Sequence, residues 1–139
     1  MRRIVLALVA ALLVFSLGSQ VAFAGSPHFV DSTVTATRSG NTLTVTGKEA
    51  GLGDESQVHI VVTATALCIN GGGNHPKAVN KESVSTEGTF PVQNGKADFQ
   101  LSITATFSPS CSPPMTVEFA DITVTDTTNG ISTSIPGPI

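Results

Sequence analysis

Tryptophan and tyrosine are absent from this chain of 139 residues, whose only aromatic side chains are seven phenylalanines. Their absence removes the amphipathic rings that a secreted sugar-binding domain would set against its ligand. Charge is also sparse, with seven Lys+Arg against ten Asp+Glu. No basic cluster is available to neutralise phosphates, which excludes nucleic acid and anionic membrane surfaces as expected partners. Histidine occurs only at His28, His59 and His75, with no H-x-H or i,i+4 spacing, so no metal site is expected. No serine stands in a G-x-S-x-G elbow, and no window carries a persuasive amphipathic helical pattern. The expectation is a protein that is not an enzyme, with no catalytic residue and no cofactor.

What is present begins with an export signal. Arg2 and Arg3 form a positive n-region, Ile4 to Leu17 an apolar h-region, and Ala22-Phe23-Ala24 a small-residue cleavage site. The apolar run is interrupted by Ser16, Gly18, Ser19 and Gln20, short of the roughly 20 residues that span a bilayer. Residues 1–24 are therefore read as a signal peptide and 25–139 as one secreted domain with no membrane insertion after signal removal. Losing Arg2 and Arg3 leaves five basic and ten acidic side chains, a formal charge of −5. An acidic surface of that kind is read as serving solubility.

The 115 residues that remain alternate in period two. Ala97, Phe99, Leu101, Ile103, Ala105 and Phe107 share one face of a strand over 96–107, and polar residues fill the other. Asn94-Gly95 suits a tight hairpin, which predicts 87–92 as its partner. A second hairpin is expected from 115–126 to 131–135 around Asn129-Gly130. Its first arm changes parity between Phe119 and Ile122, which predicts a bulge at Ala120 or Asp121. A third is expected from 32–38 to 42–48 around Ser39-Gly40-Asn41, where Thr and Val favour strand over helix. Residues 57–68 are the most apolar strand and are placed centrally, with a short strand near 81–85. The total is seven or eight strands in an all-β, antiparallel, immunoglobulin-like sandwich.

Cys68 and Cys111 admit one pairing, and in an exported chain an internal disulfide is expected. It would close a segment of the chain worth on the order of 4 kcal/mol in lost unfolded-state entropy. It would also gather two loops at one pole: a glycine-rich one over 69–80 and a proline-rich one over 108–115. Asn70, Asn74, His75, Lys77, Pro113 and Pro114 are the candidate binding residues there. Elsewhere His59 reads as a satisfied or exposed strand histidine, and His75 as solvent-facing. His28 would be fourth in the mature chain behind Pro27, which lacks the amide of an amino-terminal copper clip. Asp54, Glu55, Asp121 and Asp126 do not match the spaced acidic loop of a calcium site and read as solvated turn carboxylates.

The segments Cys68 to Asn74, Gly88 to Phe99, Cys111 to Met115 and Phe119 to Pro136 resemble small secreted bacterial proteins of immunoglobulin-like β-sandwich type. The resemblance implies a fold and a compartment and supplies no activity, ligand or functional residue. Two functions are weighed on these grounds. The first is a secreted interaction or structural module, with an unknown protein or cell-envelope partner meeting the disulfide-linked loops. The second is an inhibitor-like or small-ligand-binding protein that presents the 108–115 loop.

Overall fold

The computed structural model describes residues 25–70 and 80–139. The expected signal peptide, residues 1–24, and loop residues 71–79, which include Asn74, His75 and Lys77, lie outside the described residues. Strands account for nearly all of the regular structure: β1 (His28–Phe29), β2 (Thr35–Ser39), β3 (Thr42–Ala50), β4 (Gln57–Ile69), β5 (Lys81–Pro91), β6 (Ala97–Thr104), β7 (Thr116–Asp126) and β8 (Ile131–Ile135). A 3-10 turn over Asp31–Thr33 separates the first two. Among the described residues no helix is long and apolar enough to cross a membrane.

The strands form two antiparallel sheets of four. In the first, β3 pairs with β1 and β2 along one edge and with β6 along the other. In the second the order is β5-β4-β7-β8. The alternation read from 57–68 explains the central place of β4. Val58, Ile60, Val62, Ala64, Ala66 and Cys68 are buried towards the first sheet, and the intervening residues reach the outer face. Leu43 and Val45 of β3, Phe99 and Ile103 of β6, and Val117, Phe119, Ile122 and Val124 of β7 complete the core. Hydroxyl pairs cover much of the first sheet's outer face, including Thr42 with Thr104 and Thr44 with Ser102, both at 3.0 Å.

Two expected hairpins form, β2 with β3 and β7 with β8. The predicted bulge falls at Asp121, whose φ is 51°, where Thr63 pairs with Thr123 and Thr65 with Ala120. Two residues of β7 thus oppose one of β4, and Phe119 and Ile122 both point inward.

Two strand expectations are corrected. Asn94 and Gly95 do make a tight turn, with φ of 52° and 71° and a Gln93–Lys96 bridge. The strands on either side do not pair, however, because β5 belongs to one sheet and β6 to the other. Residues 81–85 and 87–91 are also one strand, paired with β4 along its whole length, and not two. Gly88 lies in the middle of that strand, where a Cβ would stand 3.1 Å from Leu101 Cδ2 of the opposite sheet. The missing side chain lets Leu101 close the flank where the chain crosses between sheets.

Gly47 has a similar role deeper in the core. It is the register partner of Phe99, and a Cβ there would stand 2.4 Å from Phe99 Cζ. The Phe99 ring therefore occupies the space above a bare backbone, edge-on to Phe29 with centroids 6.0 Å apart. Gly47→Ala is expected to cost about 1–3 kcal/mol through overpacking, measured by urea unfolding. In a double-mutant cycle, Phe99→Leu should recover part of that cost, because a smaller side chain vacates the disputed space.

Candidate functional site

The expected disulfide is present. Cys68, at the end of β4, is bonded to Cys111, with Cα atoms 5.8 Å apart. It draws the segment after β6 onto the end of the second sheet. Three further contacts hold that segment. The Ala105 amide donates to the Asn41 carbonyl at 2.9 Å, Phe107 packs against the core, and the Met115 sulfur lies 3.7 Å from Cys68 Sγ. Met115 N–H donates to the Ser112 carbonyl at 2.9 Å and closes the final turn. Pro113 and Pro114 stand exposed on that turn, and Asn70 is exposed just beyond β4. Of the six candidate binding residues, these three are brought to one pole. The other three fall outside the described residues.

A second cluster lies on the outer face of the β5-β4-β7-β8 sheet. His59 faces Thr89 across the β4–β5 ladder, with Nδ1 3.0 Å from Thr89 Oγ1 and Nε2 3.0 Å from Glu87 Oε2. The neutral tautomer that serves both partners donates from Nε2 and accepts the threonine hydroxyl at Nδ1. Hydroxyl, imidazole and carboxylate stand in the sequence used for acyl transfer. The site is a flat, half-exposed sheet face, however, and the backbone amide of His59 donates to Thr128 Oγ1 at 2.9 Å. The arrangement pins β5 to β4 and offers no cleft around the hydroxyl.

The third cluster is at the pole opposite the disulfide, and it corrects the expectation for Asp126. Asp126 is not a solvated turn carboxylate, since both it and Glu49 have no exposed surface. Glu49 continues the inward row of Leu43 and Val45 on β3, and Asp126 continues that of Ile122 and Val124 on β7. Both carboxyls are therefore enclosed between the sheets, close enough for Asp126 to act on the Glu49 carboxyl. Asp126 Oδ1 accepts the Thr128 amide at 2.7 Å, and Oδ2 accepts Asn129 Nδ2 at 2.6 Å. Asn129 Nδ2 also reaches Glu55 Oε2 at 3.1 Å. Neither oxygen of Glu49 has an N–H or hydroxyl donor. Burial pushes its carboxyl up to about 8, helped by a hydrogen bond to Asp126 and by the charges of Asp126 and Glu55. Among the described residues no three His, Cys, Asp or Glu side chains converge as a metal-ligand set.

Comparison with protein-family models, curated proteins and solved structures returned no match. The reading of function therefore rests on these three groupings alone. The amide of Asn129 is the link that joins two carboxylates and holds the β7–β8 turn. Asn129→Ala should lower stability by about 2 kcal/mol, the scale of a hydrogen bond to a charged group left unmade. Urea unfolding at pH 7 measures it, and Asn129→Asp should be at least as damaging because it adds a third acid to the pair.

Proposed function

We propose that this chain is a secreted, non-catalytic interaction or structural module of immunoglobulin-like type, with a protein or cell-envelope partner meeting its disulfide-linked pole. The observation that carries this reading is the Cys68–Cys111 bond, which anchors the 108–115 segment against the end of β4. A loop ordered before association loses less freedom on binding, so its exposed residues contribute more of their contact energy to affinity. A disulfide also fits an oxidising, extracellular location, in keeping with the export signal at residues 1–24.

Strand order supports the immunoglobulin-like class. Setting β1 aside, β2 to β8 follow a seven-strand Greek-key path in which β3 pairs with β6 and β4 with β7. The fourth of them, β5, pairs with β4, whereas the constant-type arrangement keeps the fourth strand in the first sheet. The disulfide is also placed differently. It joins the end of β4 to the β6–β7 connection and does not bridge the two sheets through β3 and β7.

The second reading, an inhibitor-like protein, is favoured by one feature. Pro113 and Pro114 are exposed on a segment fastened at Ala105, Cys111 and Met115, the form of a rigid loop offered to a partner's cleft. Capture of partners from the exporting cell's culture medium tests the first reading, with the oxidised protein as bait. Asn70→Ala and Pro113→Ala/Pro114→Ala should each weaken a specific partner by about tenfold or more in Kd. A partner held equally by both variants would refute this surface. A protease panel separates the second reading: stoichiometric inhibition that disappears in the proline variant favours it.

A further inference from the structure

We infer that Glu49 works as a neutral, protonated acid that donates its hydrogen bond to Asp126, making the pole opposite the disulfide a clasp that closes in acid and loosens in alkali. Glu49 and Asp126 end the inward rows of two facing strands, both without exposed surface, so water reaches neither. Asp126 accepts two N–H donors and is equipped to carry negative charge. Glu49 accepts none. Two ionised carboxylates in contact in such a place would repel and lack solvation, and a proton on Glu49 turns that repulsion into a third hydrogen bond on Asp126.

The surroundings offer no other neutralising charge among the described residues. From the 51–56 connection Glu55 faces the pair through Asn129. From β1 the neighbour of Glu49 is Phe29, while His28 points outward with its Nδ1 on the Ser26 carbonyl. From β6 it is Ala97, and the adjacent Asp98 is ion-paired with Lys48 on the outer face at 3.4 Å. From β4, Val58 and Ile60 are the inward residues at this end. The other described contact of a basic side chain with a carboxylate, His59 with Glu87, is also on an outer face.

The clasp holds something specific. Asp126 fixes the Thr128 amide and the Asn129 side chain, and the same turn docks on β4 through the Thr127 amide to the His59 carbonyl at 2.9 Å. Ionising Glu49 releases one proton to solvent and sets two like charges against each other beneath that turn. The sign follows from linkage. A carboxyl at about 8 in the fold and 4.5 when unfolded keeps its proton in the native state after the unfolded chain has lost it. Its contribution is complete below about 4.5, declines as pH rises, and is lost above about 8.

The test compares the oxidised wild type with Glu49→Gln, which keeps a donor and cannot ionise, by urea unfolding from pH 5.5 to 9.5. All other titrating groups are common to both proteins and cancel in the ratio of unfolding constants. That ratio should grow about tenfold per pH unit through the neutral range and level off above the folded-state value. A ratio independent of pH would overturn the inference. Should the variant not fold, the wild type alone decides through the 13C carboxyl signal of Glu49. A titration centred near 8 supports the clasp, and one complete below pH 6 overturns it. Calcium added at pH 8 provides a further arm. Stabilisation by calcium that Glu49→Gln abolishes would mean that a cation, not a proton, joins the carboxyls, and would also overturn it.

Discussion

The inward row of β4 is the constraint on which the remainder of the molecule depends. It is the only strand of its sheet buried on one face while paired along nearly its whole length with β5 on one side and β7 on the other. Its six inward residues are small or β-branched, from Val58 to Cys68, so β4 itself sets no aromatic ring between the sheets. The first sheet fills the remaining space over bare backbone at Gly47 and Gly88, where Phe99 and Leu101 take the room a Cβ would need. A chain without tryptophan or tyrosine fills its core by interlocking small side chains with three buried phenylalanines, Phe29, Phe99 and Phe119.

The ends of β4 also define the two poles. At its last turns the chain is closed covalently, through Cys68 to the β6–β7 connection. Near its start it is closed by hydrogen bonds, with the Asp126–Gly130 turn resting on the His59 backbone and on the buried carboxyl pair. A two-layer sandwich is most open at its poles, because strand ladders seal the flanks and only connections cover the ends. Here the two ends are sealed by different chemistry, one thiol-based and one protonic.

Legibility in the sequence followed the range of the interaction. Period-two alternation, the Asn129-Gly130 hairpin, the parity change at Asp121 and the single cysteine pairing are local or combinatorially forced, and each was readable. The Asn94-Gly95 turn was readable as a turn and misleading as a hairpin, since turn chemistry sets backbone direction and leaves open which sheet the next strand joins. β5 reads as two segments because Gly88 and its run of Ser, Thr and Glu blur the alternation, and only its pairing with β4 makes it one strand. At the disulfide-linked pole, the bond itself and the place of Asn70, Pro113 and Pro114 follow from the two cysteines. The acid cluster is the least legible part, because the strand read over 42–48 stops one residue short of Glu49. Glu49 and Asp126 stand at core parity on their strands, but carboxylates near turns read by composition as solvated.

A buried carboxyl pair is a costly way to end a core, since an apolar pair of similar volume would satisfy the same space without desolvating two acids. Its retention makes physical sense where position matters more than stability. An apolar pair would accept any register between the sheets, whereas Asp126 has the Thr128 amide and the Asn129 side chain as specific hydrogen-bond partners and tolerates one arrangement of the β7–β8 turn. The acidic chain strengthens the consequence. With ten acids against seven bases over the full sequence, a further negative charge at the pole adds to existing self-repulsion and is not offset by it. The sandwich is thus held at one end by a bond sensitive to reductants and at the other by a contact sensitive to alkali. Both closures are made at once under oxidising conditions below the pH at which Glu49 ionises.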